Sequence, residues 1–100
     1  MRTCRTSTHY RLYALPGTVP PKPGLLRVGS DGAAIEVEVW RIERARFGDF
    51  FARVPSPLCL GSIELEDGAR VAGFLCEAYA TSGARDISGF GGWRNFLAAP

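Results

Sequence analysis

Few side chains in this 100-residue sequence are equipped for chemistry, and their spacing narrows the field further. The one histidine, His9, stands at the head of a strand-like segment, where it reads as a partly exposed polar residue rather than a base. No GxSxG, HExxH, Walker or GxGxxG pattern occurs, and Gly89-Phe90-Gly91-Gly92 lacks the preceding strand and the lysine of a phosphate cradle. The serine- and lysine-bearing loop of amidase machinery is missing as well. Lys22, the only lysine, sits in Pro20-Pro21-Lys22-Pro23, a rigid connector or, less simply, a ligand for an SH3-like groove. Glu36 and Glu38 share one strand face, where neighbouring carboxylates can divide acid and base roles, but solvated edge charges are the plainer reading. Arg70, Arg85 and Arg94 remain, each beside a glycine-containing segment. A guanidinium grips a carboxylate through two parallel hydrogen bonds, so this set reads either as an anchor for a small carboxylated ligand or as ion-pair partners of Asp67, Glu77 and Asp86.

The elements that must carry these residues follow from hydrophobic period. His9 to Leu15 alternates with aromatic and branched bulk and predicts a strand with Tyr10, Leu12 and Ala14 on one face and Tyr13 and Leu15 on the other. The proline-rich stretch 16–24 predicts an exposed, stiff loop, followed by a strand from Leu25 to Gly29 and a turn at Ser30-Asp31-Gly32. Ala34 to Arg41 alternates strictly, with Ile35, Val37 and Val39 inward and Glu36, Glu38 and Trp40 outward. From there the period lengthens: Phe47, Phe50, Phe51 and Val54 predict an amphipathic helix over Ile42 to Val54, stopped by Pro55 and Pro57. Ile63 to Leu65 and Arg70 to Leu75 flank an Asp67-Gly68 turn and predict a hairpin. Asp86 or Ser88 is expected to cap a closing helix with Phe90, Trp93, Phe96 and Leu97 as its apolar stripe, and Gly91-Gly92 implies a close backbone approach.

Composition bounds the rest. At 46% hydrophobic and 22% charged the chain is one globular domain, 1–100, and a formal charge of +2 is too small to drive nucleic-acid binding. No run reaches a membrane span and no apolar signal core opens the sequence, so a soluble, cytoplasmic protein is expected. Cys4, Cys59 and Cys76 form neither a disulfide framework nor a zinc spacing, so reduced thiols, no metal and no cofactor are expected. Arg2, Arg5, Arg11, Lys22 and Arg27 precede the first acid, leaving a net −3 on the remainder.

Read together, Tyr10 to Leu15, Pro20 to Leu25, Ile35 to Trp40, Gly73 to Glu77 and above all the closing run Gly83 to Arg94 resemble the C-terminal domain of allophanate hydrolase, over about Arg5 to Leu97. The resemblance implies an α+β fold similar to γ-glutamylcyclotransferase: a small, mostly antiparallel barrel-like sheet of five or six strands, with the Ile42 to Val54 helix covering one side and the closing helix packed through Trp93. It implies a place in urea and allophanate degradation beside an amidase, either assisting decarboxylation of N-carboxycarbamate or supporting assembly. For the first role, a small carboxylated carbamate would be anchored by Arg70 and Arg94, with Tyr10 or Tyr13 as proton donor. Domains of this kind begin with a further strand and a small-residue loop that do not precede Arg2, so an N-terminally incomplete domain is expected. The cyclotransferase glutamate has no counterpart in Val54 to Gly61, which argues against cyclotransferase activity. The basic N-terminal stretch leads to a final expectation, a homodimer in which Arg2 to Arg11 of one chain lies on the acidic strand of its mate near Glu36, Glu38 or Glu64.

Overall fold

The computed structural model of the chain describes residues 1–17 and 21–100. Within them seven strands and two α-helices follow one another: β1 (Arg2–Arg5), β2 (Tyr10–Leu15), β3 (Lys22–Arg27), β4 (Glu36–Val39), α1 (Arg44–Ala52), β5 (Leu58–Glu64), β6 (Arg70–Cys76), β7 (Arg85–Asp86) and α2 (Trp93–Ala98). The class is α+β and every ladder is antiparallel, as expected, but the ladders do not close into one barrel. They form three separate sheets, β1-β4, β3-β2-β7 and β5-β6.

What joins the sheets is a set of buried hydroxyls. Past Arg5↔Glu36 the β1-β4 ladder would continue at Thr6 and Ile35. There the Thr6 N–H still donates to the Ile35 carbonyl (2.9 Å), but the Ile35 N–H donates to Thr6 Oγ1 (3.0 Å) instead of to a backbone oxygen. Freed from that bond, the chain turns toward β5, where the Ser7 N–H reaches the Glu64 carbonyl (2.9 Å). The same substitution ends the β2-β7 ladder: the Ile87 N–H donates to the Leu12 carbonyl (2.7 Å), while the Leu12 N–H is taken by Ser88 Oγ (2.8 Å). The third case is Tyr10 of β2, whose hydroxyl accepts the Glu64 N–H of β5 at 2.9 Å. Thr6, Ser88 and Tyr10 are all buried, and they close the buried amides of Ile35 and Leu12 and the partly buried amide of Glu64. Around them packs one core of Tyr10, Leu12, Leu25, Ile35, Ile63, Leu65 and Ile87.

Several elements differ from the sequence reading. β3 starts at Lys22, inside the proline-rich stretch, with Pro23 opposite Ala14. The missing N–H is tolerated because β3 is bonded to a neighbour on one side only. Thr18, Val19 and Pro20 of that stretch lie outside the described residues. The helix is shorter than Ile42 to Val54, its Phe47 and Phe50 face a hollow rather than the core and its Phe51 stays exposed, so no residue of α1 is buried. Neither Asp86 nor Ser88 caps α2. Gly92 holds the N-cap position, because Ser88 is committed to Leu12 and Asp86 Oδ1 accepts the Ser88 N–H at 2.9 Å. The hairpin forms with longer arms, and Gly68 (φ 89°) alone supplies the left-handed residue while Asp67 Oδ1 accepts the Ala69 N–H. Gly92 does sit against another backbone: the Glu36 N–H donates to the Gly91 carbonyl (2.7 Å), and a Cβ on Gly92 would come within 3.0 Å of Glu36 Cβ. The acidic strand does receive the basic arm, but of its own chain, with Arg5 opposite Glu36 and Thr3 opposite Glu38.

Thr6→Val keeps shape and removes the oxygen, leaving the Ile35 amide buried and unpaired. It is expected to cost about 1–3 kcal/mol, as is Tyr10→Phe through the Glu64 amide. Thr81→Val, whose hydroxyl bonds a carbonyl at the surface, should stay within about 0.5 kcal/mol of the parent. Thermal or urea unfolding of the three variants checks this. Equal midpoints for Thr6→Val and Thr81→Val would contradict it.

Candidate functional site

A cleft of about 1110 Å³ opens between α1 and the sheets. Val37 and Val39 of β4, Leu60 of β5, Phe74 of β6 and Phe47 and Phe50 of α1 supply its walls, and Trp93 of α2 closes one end. α1 reaches across this space chiefly through Phe50, whose ring lies 5.5 Å from that of Phe74. Trp93 is held from behind by Phe96 (5.4 Å between rings), which also meets Phe90 edge-on at 5.3 Å. Charged side chains border the cleft in both signs: Lys22, Arg41, Arg46 and Arg53 against Glu36, Glu38 and Asp49. Glu38 is held from two sides, by the Arg94 guanidinium and by the Trp40 indole N–H at 3.3 Å.

A second cavity, of about 330 Å³, lies at the far end of β2. Leu15 and Leu58 line it together with Pro16, Pro55 and Pro57, and Lys22, Ser56, Tyr79 and Ser82 supply polar groups. Lys22 and Leu58 border both cavities.

Of the four residues singled out from the sequence, Tyr10 and Arg70 both meet Glu64, while Tyr13 and Arg94 have other partners. Tyr10 is fully buried beneath the Arg27 guanidinium (5.9 Å to the ring centre), its hydroxyl engaged by Glu64. Tyr13 sits mid-sheet on β2, between Gly24 of β3 and Asp86 of β7. Arg70 on β6 pairs with Glu64 at 3.3 Å. Arg94 on α2 pairs with Glu38, and touches the cleft only through it. None of the four lines either cavity. Arg85, the remaining arginine of the set, lies over Phe90 and Phe96 at 5.7 and 5.4 Å from their centres. Sequence reasoning passed over Lys22, Ser56 and Tyr79 as a group. Lys22 was visible as the one lysine, but nothing in the spacing says that residues 22, 56 and 79 meet.

Residues 1–98 match the family described as the allophanate hydrolase C-terminal domain. The chain belongs to that family. It is 45% identical over 97 residues to urea amidolyase of Lachancea kluyveri, and 45% identical over 99 residues to urea amidolyase of Saccharomyces cerevisiae. Those alignments cover 93% and 95% of this chain but only 5% of each relative, so the chain spans about one twentieth of the curated relatives' length. Among solved structures, Kluyveromyces lactis allophanate hydrolase superposes with a TM-score of 0.92 at 44% identity, covering 98% of this chain and 17% of that one. A protein specific to uropathogenic E. coli superposes at 0.88 and 35% identity, covering 100% of this chain and 76% of that one. Among the described residues no helix is long and apolar enough to cross a membrane.

Trp93 reaches the cleft because the chain between β7 and α2 is tied down at Asp86. Partial burial alone would raise that carboxyl, but hydrogen bonds from Arg11 and Ser88 and the charge of Arg11 outweigh it and hold the pKa at about 2, against 3.8 for an ordinary aspartate. A folded-state pKa below the unfolded one stabilises the fold above the unfolded value, and the gain is lost as pH falls from about 4 to about 2. Both partners are about one-third exposed, so solvent screening limits the effect to about 1 kcal/mol or less. Asp86→Asn should therefore destabilise at neutral pH and flatten the acid limb of stability over that window. A variant that follows the parent's pH profile would contradict this.

Proposed function

We propose that this chain is an accessory domain of allophanate breakdown in urea degradation, working beside an amidase module. Family membership over nearly the whole chain supports the setting, as do the names of the relatives, urea amidolyase and allophanate hydrolase. The observation that carries the mode of action is the uncovered apolar stripe on α1: Phe47, Phe50 and Phe51 remain 37, 40 and 49% exposed, beside an exposed Trp40 and Ile42 and an open cleft. Apolar surface left in water forgoes about 25 cal/mol per Å², and a contiguous exposed patch marks a contact surface. Amidase-bearing polypeptide is the occupant inferred, since the relatives carry this domain as a small part of a much longer chain. Similarity to the γ-glutamylcyclotransferase fold belongs to this reading as kinship of fold, without its chemistry.

A second reading adds chemistry to the docking. N-carboxycarbamate, the dianion an amidase would release from allophanate, takes up a proton at nitrogen as its C–N bond breaks, leaving carbamate and CO2. A site that speeds this step holds one carboxylate by a cation and takes the other out of water. The cleft favours it by joining apolar walls to Arg41, Arg46, Arg53 and Lys22. Arg70 and Arg94 as anchors and Tyr10 or Tyr13 as donor remain the assignment taken from the resemblance, and would need these scattered groups to converge.

Docking is checked by mixing the chain with the amidase module of a urea amidolyase relative and measuring association by calorimetry. A saturable complex, weakened at least about tenfold by Phe50→Arg, is expected. Phe50 also packs on Phe74, so the variant is compared with the parent at a temperature below both melting points. No association, or association that ignores the substitution, contradicts the reading. Adding the chain to freshly generated N-carboxycarbamate tests the second reading, and CO2 release no faster than in buffer removes it.

A further inference from the structure

We propose that the smaller cavity, at the end of β2, is a binding site for a small aliphatic carboxylate, with Lys22 as its cation. This site shares Lys22 and Leu58 with the rim of the larger cleft but does not rest on docking through α1.

Four pieces of chain build the cavity. Leu15 and Pro16 come from the end of β2, Lys22 from the start of β3, residues 55–57 from the connection between α1 and β5 with Leu58 at the head of β5, and Tyr79, Ala80 and Ser82 from the 3-10 turn after β6. Its floor is apolar and its mouth polar: Leu15 is buried and Leu58 half-buried, whereas Lys22, Ser56, Tyr79 and Ser82 are exposed. Its volume, about 330 Å³, stands at the small end of the range for ligand sites, about 300–1,000 Å³.

The ligand class follows from the lining. Lys22 contributes one positive charge, and among the described residues no carboxylate is ion-paired to it. Among the described residues no aspartate or glutamate lines the cavity. Ser56 Oγ and the Tyr79 hydroxyl lie 3.3 Å apart. One hydroxyl donates to the other, which leaves the second proton free for an incoming oxygen. Ser82 adds another neutral donor. One cation with neutral donors balances a monoanion, whereas a phosphate dianion would leave a charge uncompensated. The apolar floor then takes the carbon end of the ligand.

The walls are also set in advance. Pro16, Pro55 and Pro57 have fixed φ angles, so ordering them on binding costs little. The turn that carries Tyr79 is tied to the opposite wall by the Glu77 N–H, which donates to the Pro57 carbonyl at 2.9 Å, and internally by Thr81 Oγ1 to the Ala78 carbonyl at 2.8 Å.

The test is a nuclear magnetic resonance titration of the full chain with propionate and, separately, with inorganic phosphate. Propionate should move the amides of Lys22, Ser56, Leu58, Ala80 and Ser82 along one saturable isotherm. Lys22→Gln should weaken it about tenfold and Tyr79→Phe about threefold, while Lys22→Arg restores most of the affinity. Phe50→Arg, which disables the docking face, should leave the isotherm unchanged, so failure of one reading is distinguishable from failure of the other. Shifts that do not saturate, shifts centred on Arg70 or Arg94, indifference to Lys22→Gln, or tighter binding of phosphate than of propionate would each overturn the proposal.

Discussion

Three amides decide how this chain holds together. In each, a backbone N–H that an unbroken ladder would satisfy is satisfied by a hydroxyl: Ile35 by Thr6, Leu12 by Ser88 and Glu64 by Tyr10. A hydroxyl on a side chain fills the acceptor position while releasing the backbone beside it, so the chain can leave one sheet and enter another without burying an orphan donor. Strands of three separate sheets therefore share a single core. The cost of leaving any of these amides unpaired, about 1–3 kcal/mol, is large against the marginal stability of a domain this size.

The hollow on the other side of the core follows from the same arrangement. Past Ser88 the chain turns through Gly91 and Gly92, whose close approach to Glu36 sets α2 beside β4 and aims Trp93 at the cleft. The aromatic stack of Phe90, Phe96 and Trp93 fixes that wall. α1, in contrast, leans on the sheets through the Phe50–Phe74 contact and buries none of its residues. One wall of the cleft is thus closely packed and the other is covered by a helix whose apolar side still faces water.

How much of this was legible beforehand depended on the range of the interaction. Strict alternation at Ile35 to Val39 and the Asp67-Gly68 turn are local signals, and β4 and the β5-β6 hairpin formed where they pointed. The glycine pair was read as a close backbone approach, and it is one. The closing motif, Gly83 to Arg94, named the family that the whole-chain match then established. Period alone said that α1 has an apolar face, but not what that face would meet. Composition marked 16–24 as loop because proline opposes central strands, and an edge strand escaped the rule. Ser88 and Asp86 have the residue types of helix caps, but the amides that claim them belong to Leu12 and to Ser88 itself, and no pattern near the helix shows it. Residues 22, 56 and 79 are brought together by topology, for which no local pattern exists.

The central claim, that buried hydroxyls weld three sheets into one cooperative unit, is tested most directly by native-state amide hydrogen exchange at Leu12, Ile35 and Glu64. If the claim holds, all three amides exchange only through global unfolding, with the same opening free energy as the most protected residues of β2. Exchange at any of them on the timescale of exposed turn amides, or three clearly different opening free energies, would contradict it.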